Sequence, residues 1–341
     1  MIKLVADSGK EPLDLIYPDI YFLPEWGKFY ETKEEQGEHA VFEVEHEWGH
    51  IFYQFIVRPV PVRLEGLTYF DIITPYGFSG PVILSGNPEK KQQLIELFEA
   101  QFGDYCKEHR IVTEYVRFSP WLKNRLDFKA LYDFRDNGHV QFIDLTGEDF
   151  FMDQFASVSR GQVRKALKND VEVEFDYTGE HVAEFHRLYM MTVTKNNIDP
   201  YYVFSIESLR QSFEVFKGKQ FFLFAKHDGR YISCSFILHY GEYVHYHLTA
   251  NDPAYSSLSG NSLIVYEMCR WGVEHGKKEV QLGGAPDKRL YRFKRNFNKT
   301  EPLELMMGKR IHDQEAYDSL VEAKKNTVGI EHAGYFPLYR G

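Results

Sequence analysis

The chain has 341 residues, more than one domain usually holds, and its 16% aromatic content excludes a disordered polypeptide. A net charge of −10 excludes general coating of DNA or RNA, since such binding rests on many Lys and Arg contacts to phosphate; any polyanionic ligand must meet a local basic patch. Scattered Cys106, Cys234 and Cys269 give no disulfide framework, the first residues lack a signal-peptide core, and no apolar run nears the ~18 residues of a membrane span; the expectation is a cytoplasmic protein with buried thiols.

In chain order, residues 41–57 alternate apolar and polar types around Gly49 and predict a hairpin. A helical pattern over 88–108 and a strand at 111–116 follow. The order then recurs as a hairpin at 221–237 with the turn pair Asp228-Gly229, a helix at 261–275 and a strand at 279–282. With Gly49 set on Gly229 the apolar runs coincide, which predicts two similar α/β domains of mixed sheets flanked by helices, at 1–145 and 146–325. The aromatic run Tyr335-Phe336-Pro337-Leu338-Tyr339 is too apolar for a free tail, so residues 326–341 are expected to return to the first domain.

The repeat bears on a metal motif. His46-Glu47-Trp48-Gly49-His50 matches H-E-x-x-H, in which two histidines on one helical face bind zinc. That chemistry needs a helix, whereas the flanks here are strand-like and the second copy has Lys226 and Arg230 in place of the histidines. His245 and His247 share a strand face without an evident third ligand. No metal site is expected.

In the second half, residues 157–170 predict a helix with Arg160, Arg164 and Lys168 at i, i+4 and i+8 on one face. Residues 251–262 form a polar loop before a helix start, whose amides suit phosphate. After the strand at 279–282 come Gly283 and Gly284, then a run in which Lys288, Arg289, Arg292, Lys294, Arg295 and Lys299 face a single acid, Asp287, with Leu290, Tyr291, Phe293 and Phe297 interleaved. The glycines allow close approach to the backbone, and the cations suit a phosphate or a developing oxyanion.

Hairpin, strand, polar loop, helix and strand in this order resemble the core of the GNAT acyltransferase fold. A tandem pair in which Arg-x-x-x-Arg-Lys-Ala-x-Lys-Asn opens the second unit and Leu-Tyr-Arg-Phe-Lys-x-x-Phe lies near its end is similar to the Fem-type peptidoglycan aminoacyltransferases, from Tyr21 to about Phe297. The resemblance implies tandem GNAT-like domains and transfer of an amino acid from aminoacyl-tRNA to an amine of a peptidoglycan or surface-polymer precursor. It implies Lys294 as the cation at the reacting carbonyl and Phe293 as a wall of the acyl-donor site. Lys28, after Pro24-Glu25-Trp26, would face the acceptor with Arg164 assisting, and Tyr246, Gly283, Gly284, Tyr291 and Arg292 complete the expected donor- and acceptor-binding set.

Two features depart from the family patterns. The loop Ser257-Leu258-Ser259-Gly260-Asn261 lacks the Gln/Arg-x-x-Gly-x-Gly/Ala run with which GNAT enzymes cradle the CoA pyrophosphate, and no heptad segment of the kind tRNA-dependent Fem proteins insert is present. The expected donor is therefore aminoacyl-tRNA or acyl-CoA, a substrate rather than a resident cofactor. The acceptor is reached without a membrane span, with peripheral membrane contact left open. A CoA-dependent N-acyltransferase and a binding protein with degenerate sites stand as alternatives, and a zinc hydrolase ranks behind them.

Overall fold

The computed structural model describes residues 3–4, 17–34, 36–285, 287–327 and 329–341. By packing, the chain forms two units, one of residues 1–138 with 304–341 and one of residues 139–303. The expected second domain at 146–325 is corrected accordingly. Strand Leu303–Ile311 and helix Gln314–Thr327 fall almost wholly in the first unit, because Lys309 and Arg310 register with Tyr115 and Glu114.

The first unit runs β1 (Lys3–Leu4), α1 (Pro24–Tyr30), β2 (Glu38–His46), β3 (Gly49–Pro59), β4 (Phe70–Ile73), β5 (Val82–Gly86), α2 (Lys91–Glu108), β6 (Ile111–Arg117) and the start of β7 (Asp133–Asp144). Its sheet has the order β1-β2-β3-β4-β6, continued by Leu303–Ile311 on β6, with β4 and β6 parallel. Helix α2 presents Leu94, Phe98, Phe102 and Tyr105 at helical spacing, and these rings pack edge-on against Phe42 and Tyr53 of the hairpin at centroid distances from 5.1 to 6.4 Å where the geometry is T-shaped. Burial of this kind is worth about 3–5 kcal/mol per aromatic side chain. Residues 329–341 lie in this unit. Tyr339 is fully buried with its hydroxyl 2.7 Å from Thr113 Oγ1, and Arg340 donates to Asp71 at 2.5 Å.

The second unit takes the rest of β7, then α3 (Phe150–Asp153), α4 (Ser157–Lys168), β8 (Glu172–Asp176), α5 (Val182–Asn196), α6 (Ile206–Val215), β9 (Gln220–His227), β10 (Arg230–Tyr240), β11 (Tyr243–Asn251), α7 (Gly260–Glu274), β12 (Glu279–Gly283) and α8 (Lys288–Arg295). Its sheet order is β7-β12-β11-β10-β9-β8, antiparallel except for β11 on β12. Leu263, Ile264, Met268 and Cys269 of α7 pack with Phe221, Leu223 and Ala225 of β9 in one core, which Phe155 and Phe297 join. The three cysteines are buried, and that burial raises every thiol above its ordinary pKa.

The two hairpins are not aligned on their glycines. His46 registers with Gly49 around the turn Glu47-Trp48, whereas His227 registers with Arg230 around Asp228-Gly229, whose φ values are 49° and 75°. Gly49 thus corresponds to Arg230. A bulge between Tyr231 and Ser233 shifts the return strand by one residue more, an even total that keeps the same face of the return strands inward. No described helix is long and apolar enough to cross a membrane.

Candidate functional site

The H-E-x-x-H run is a hairpin turn, with His46 ending β2 and His50 on β3, where its Nε2 lies 3.4 Å from Glu43. The two rings cannot share a helical face there. Among the described residues no cluster of His, Cys, Asp and Glu has the makeup of a metal site.

The chemistry instead gathers where β11 and β12 part. Their pairing covers Tyr243 with Glu279, Val244 with Val280 and His245 with Gln281, and stops there, although β11 continues to Asn251 and β12 to Gly283. Beyond that point β12 bulges between Gln281 and Gly283, and Gly283 takes φ 73°, a conformation that favours glycine.

Helix α8 then begins on Asp287, whose carboxylate accepts from the amides of Arg289 and Leu290 at 2.8 and 2.9 Å. This single acid is occupied as a cap, and Pro286 before it lies outside the described residues. Leu290, Phe293, Lys294 and Phe297 fall at i, i+3, i+4 and i+7, so Lys294 sits on the apolar stripe and is carried inward. Its side chain is 7% exposed, and its ammonium donates to the Gly284 carbonyl at 2.7 Å. Burial alone lowers its pKa to about 8. Phe293 packs on the core and meets Phe297 edge-on at 5.1 Å.

Of the expected site residues, the fold thus brings together Gly283, Gly284, Phe293 and Lys294. Tyr246 lies one residue past the last β11–β12 pair, buried, with its hydroxyl 2.7 Å from Thr249 Oγ1. Tyr291 and Arg292 are exposed on α8: Arg292 lies opposite the buried stripe and Tyr291 at its edge. Lys288 and Arg289 are exposed as well, and Arg295 donates to the carbonyls of Asn298 and Thr300. Arg164 is exposed on α4 with its guanidinium 5.7 Å from the Phe151 ring centre. Lys28 belongs to the first unit, where it is exposed and pairs with Glu31 at 2.6 Å.

Sequence reasoning missed three buried amides in the second unit, Gln141, Gln281 and Asn298, each at most 2% exposed. Gln141 and Gln281 sit in strands whose alternation marks them only as polar positions; their burial follows from the pairing of β7 with β12. At the other end of the splay, Ser259 has φ 61° and leads into α7 without a side-chain cap, and a Cβ on Gly260 would stand 2.6 Å from Ser233 Oγ.

Residues 154–295 match the acetyltransferase (GNAT) domain family. Among solved structures, FemX is similar with a TM-score of 0.67 at 15% identity, over 88% of this chain and 94% of its own. A C-terminal domain (DUF2156) ascribed to lysylphosphatidylglycerol synthetase, from Agrobacterium fabrum, gives 0.54 at 13% identity, over 90% and 96%. A conserved Bacteroides thetaiotaomicron protein of unknown function gives 0.52 at 12% identity, over 85% and 89%. No curated protein matches the chain. The architecture is that of the Fem-type, tandem GNAT-like fold, and its second unit carries the acetyltransferase-type domain.

Proposed function

We propose that this acyltransferase joins an activated acyl or aminoacyl group to an amine of a cell-wall or surface-polymer precursor, with Lys294 as the cation at the reacting carbonyl. The observation that carries the reading is a buried ammonium with burial as the sole cause of its lowered pKa, held on the Gly284 carbonyl beside the mouth of a splayed strand pair. An unneutralised cation in a water-poor pocket is costly to keep and is suited to stabilise charge that develops only in a transition state. The neutral acceptor amine attacks the donor carbonyl carbon, and the carbonyl oxygen takes up the negative charge beside Lys294 and local backbone amides. The bond to the leaving oxygen or sulfur then breaks, and the proton lost by the amine ends on that leaving group. Phe293 and Phe297 keep the pocket dry, which strengthens the electrostatic term.

Likeness to FemX and to a domain ascribed to lysylphosphatidylglycerol synthetase supports aminoacyl transfer, and aminoacyl-tRNA is the donor of this first reading. Acyl-CoA is the second reading, favoured by the acetyltransferase family match and by the uncapped start of α7 after the polar loop. The test is incubation with aminoacyl-tRNA or acetyl-CoA and an amine-bearing peptidoglycan precursor, with the amide product read by mass spectrometry. Product from aminoacyl-tRNA that disappears in Lys294→Ala supports the reading, product from acetyl-CoA alone selects the second, and no amide product from either sinks both.

A further inference from the structure

Asn298 follows α8 and is 1% exposed. Its Oδ1 accepts from the backbone amide of Thr300 at 2.7 Å and from the Thr300 hydroxyl at 2.6 Å. A backbone N–H can only donate, so this contact fixes which end of the Asn298 carboxamide is oxygen. The other end, Nδ2, donates to Gln141 Oε1 at 3.2 Å. The orientation passes on: Gln141, itself 1% exposed, must turn its own NH₂ the other way, and that nitrogen is buried with no hydrogen-bond partner among the described residues. Burying a donor unpaired is unfavourable, and such a group is ready to meet an acceptor carried by a ligand.

Three observations bring this donor and Lys294 to the same stretch of the β7–β12 edge. Gln141 is the register partner of Gly283, and residues directly opposed on antiparallel strands project to the same face. At Gly283 the position a Cβ would take lies 3.6 Å from Lys294 Nζ. The segment that carries Lys294 also carries Asn298, and both reach the β7–β12 edge, one to Gly284 and the other to Gln141. The missing side chain at Gly283 leaves the space over this register position open between an amide NH₂ and an ammonium.

We propose that Gln141 is a second hydrogen-bond donor of the catalytic site, its amide nitrogen sharing with Lys294 the oxygen of the reacting carbonyl. The assignment rests on the reading of Lys294 given above. Two donors of this kind match what an oxyanion needs as the amine adds to the carbonyl, since its oxygen gains a full negative charge and one lone pair, three in all, enough to meet both donors. Asn298 is a positioning residue, which holds the Gln141 amide from behind without touching the substrate.

Gln141→Glu keeps an acceptor for Asn298 while replacing the free NH₂ with a carboxylate oxygen, and Gln141→Met removes the donor at similar length. The first readout is the pH dependence of Lys294 acetylation by acetic anhydride, followed by peptide mass spectrometry. It needs no substrate, so it reads the juxtaposition apart from the proposed reaction. In Gln141→Glu a carboxylate beside the ammonium should move the midpoint up by a pH unit or more, while Gln141→Met leaves it near the wild-type value. The second readout is transfer in the assay described above, where both variants should lose about 100-fold in kcat with little change in KM. Folding is checked by thermal unfolding. A folded Gln141→Glu protein with an unmoved Lys294 midpoint overturns the juxtaposition; a Gln141→Met protein that transfers at the wild-type rate overturns the catalytic role. Absence of transfer by the wild type overturns the function, leaving the labelling result to decide the geometry.

Discussion

In each unit the strand that follows α2 or α7 pairs in parallel with an earlier strand, and these two pairs have opposite fates. In the first unit β4 is paired with β6 along its whole length, from Phe70 with Ile111 to Ile73 with Tyr115, and pairing continues past it through Thr74 to Tyr115 and Ser79 to Arg117. The chain's last residues clamp it: Asp71 and Thr113, register partners, are held by Arg340 and Tyr339. In the second unit the pairing of β11 with β12 stops after three pairs, and the Lys294 ammonium reaches the Gly284 carbonyl just past the end of β12. Buried charge follows the same division. Glu114 on β6 is fully buried but accepts from the Tyr53 hydroxyl at 3.0 Å, and Arg58 bridges Glu34 and Asp71 at 2.7 and 2.9 Å, whereas among the described residues the Lys294 ammonium has only a carbonyl. One order of elements therefore closes one copy on itself and leaves the proposed chemistry to the other.

The largest effect should come from unfastening the closed pair. A chain ending at residue 328 loses the buried Tyr339 ring and the Arg340 contacts, which should cost at least about 3–5 kcal/mol of first-unit stability in urea unfolding. Unchanged unfolding would show that the clamp is dispensable.

The open pair is challenged by Lys294→Ala, expected to lower kcat about 100-fold to 1000-fold, or roughly 3–4 kcal/mol, with the fold intact. Equal turnover of this variant and wild type would remove Lys294 from catalysis. The same buried charge should weigh on stability. With its pKa lowered from 10.5 to about 8, the folded protein releases this proton before the unfolded chain does, so below pH 8 both states are charged and the burial penalty is fully present. As pH rises from about 8 to 10.5 the penalty is relieved and stability increases. Lys294→Met should therefore stabilise the protein at pH 7 by up to about 3 kcal/mol and flatten that rise, as melting temperature against pH would report.

Smaller effects sharpen the contrast. Tyr53→Phe strips Glu114 of its hydroxyl donor and should destabilise the first unit by about 1–3 kcal/mol without touching the open pair, so transfer kinetics should stay at wild-type values while the melting point falls. Lys299→Ala, at an exposed lysine that reaches the Met152 carbonyl, should shift stability by no more than about 0.5 kcal/mol and leave turnover unchanged in the same paired assay. A loss comparable to that of Lys294→Ala would return the whole basic run to the site.

Much of this architecture is written locally. Alternation over 41–57 and 221–237 and the Asp228-Gly229 turn specify hairpins, and the heptad-like spacing of Leu290, Phe293 and Phe297 puts Lys294 on the buried stripe of α8, because period and handedness decide which side chains share a face. The same rule puts Arg292 on the opposite side of the helix, while Tyr291, three residues before Lys294, borders the stripe and is exposed. What the sequence could not give is partnership over distance. The parting of β11 from β12, the return of Leu303–Ile311 to the first sheet and the contact of Asn298 with Gln141, 157 residues away, each depend on a register between strands. A local pattern shows which face of a strand is buried but not which strand covers it, because that choice is made by packing and hydrogen bonds summed over the folded unit. The buried amide at 141 becomes a donor only once that choice has been made.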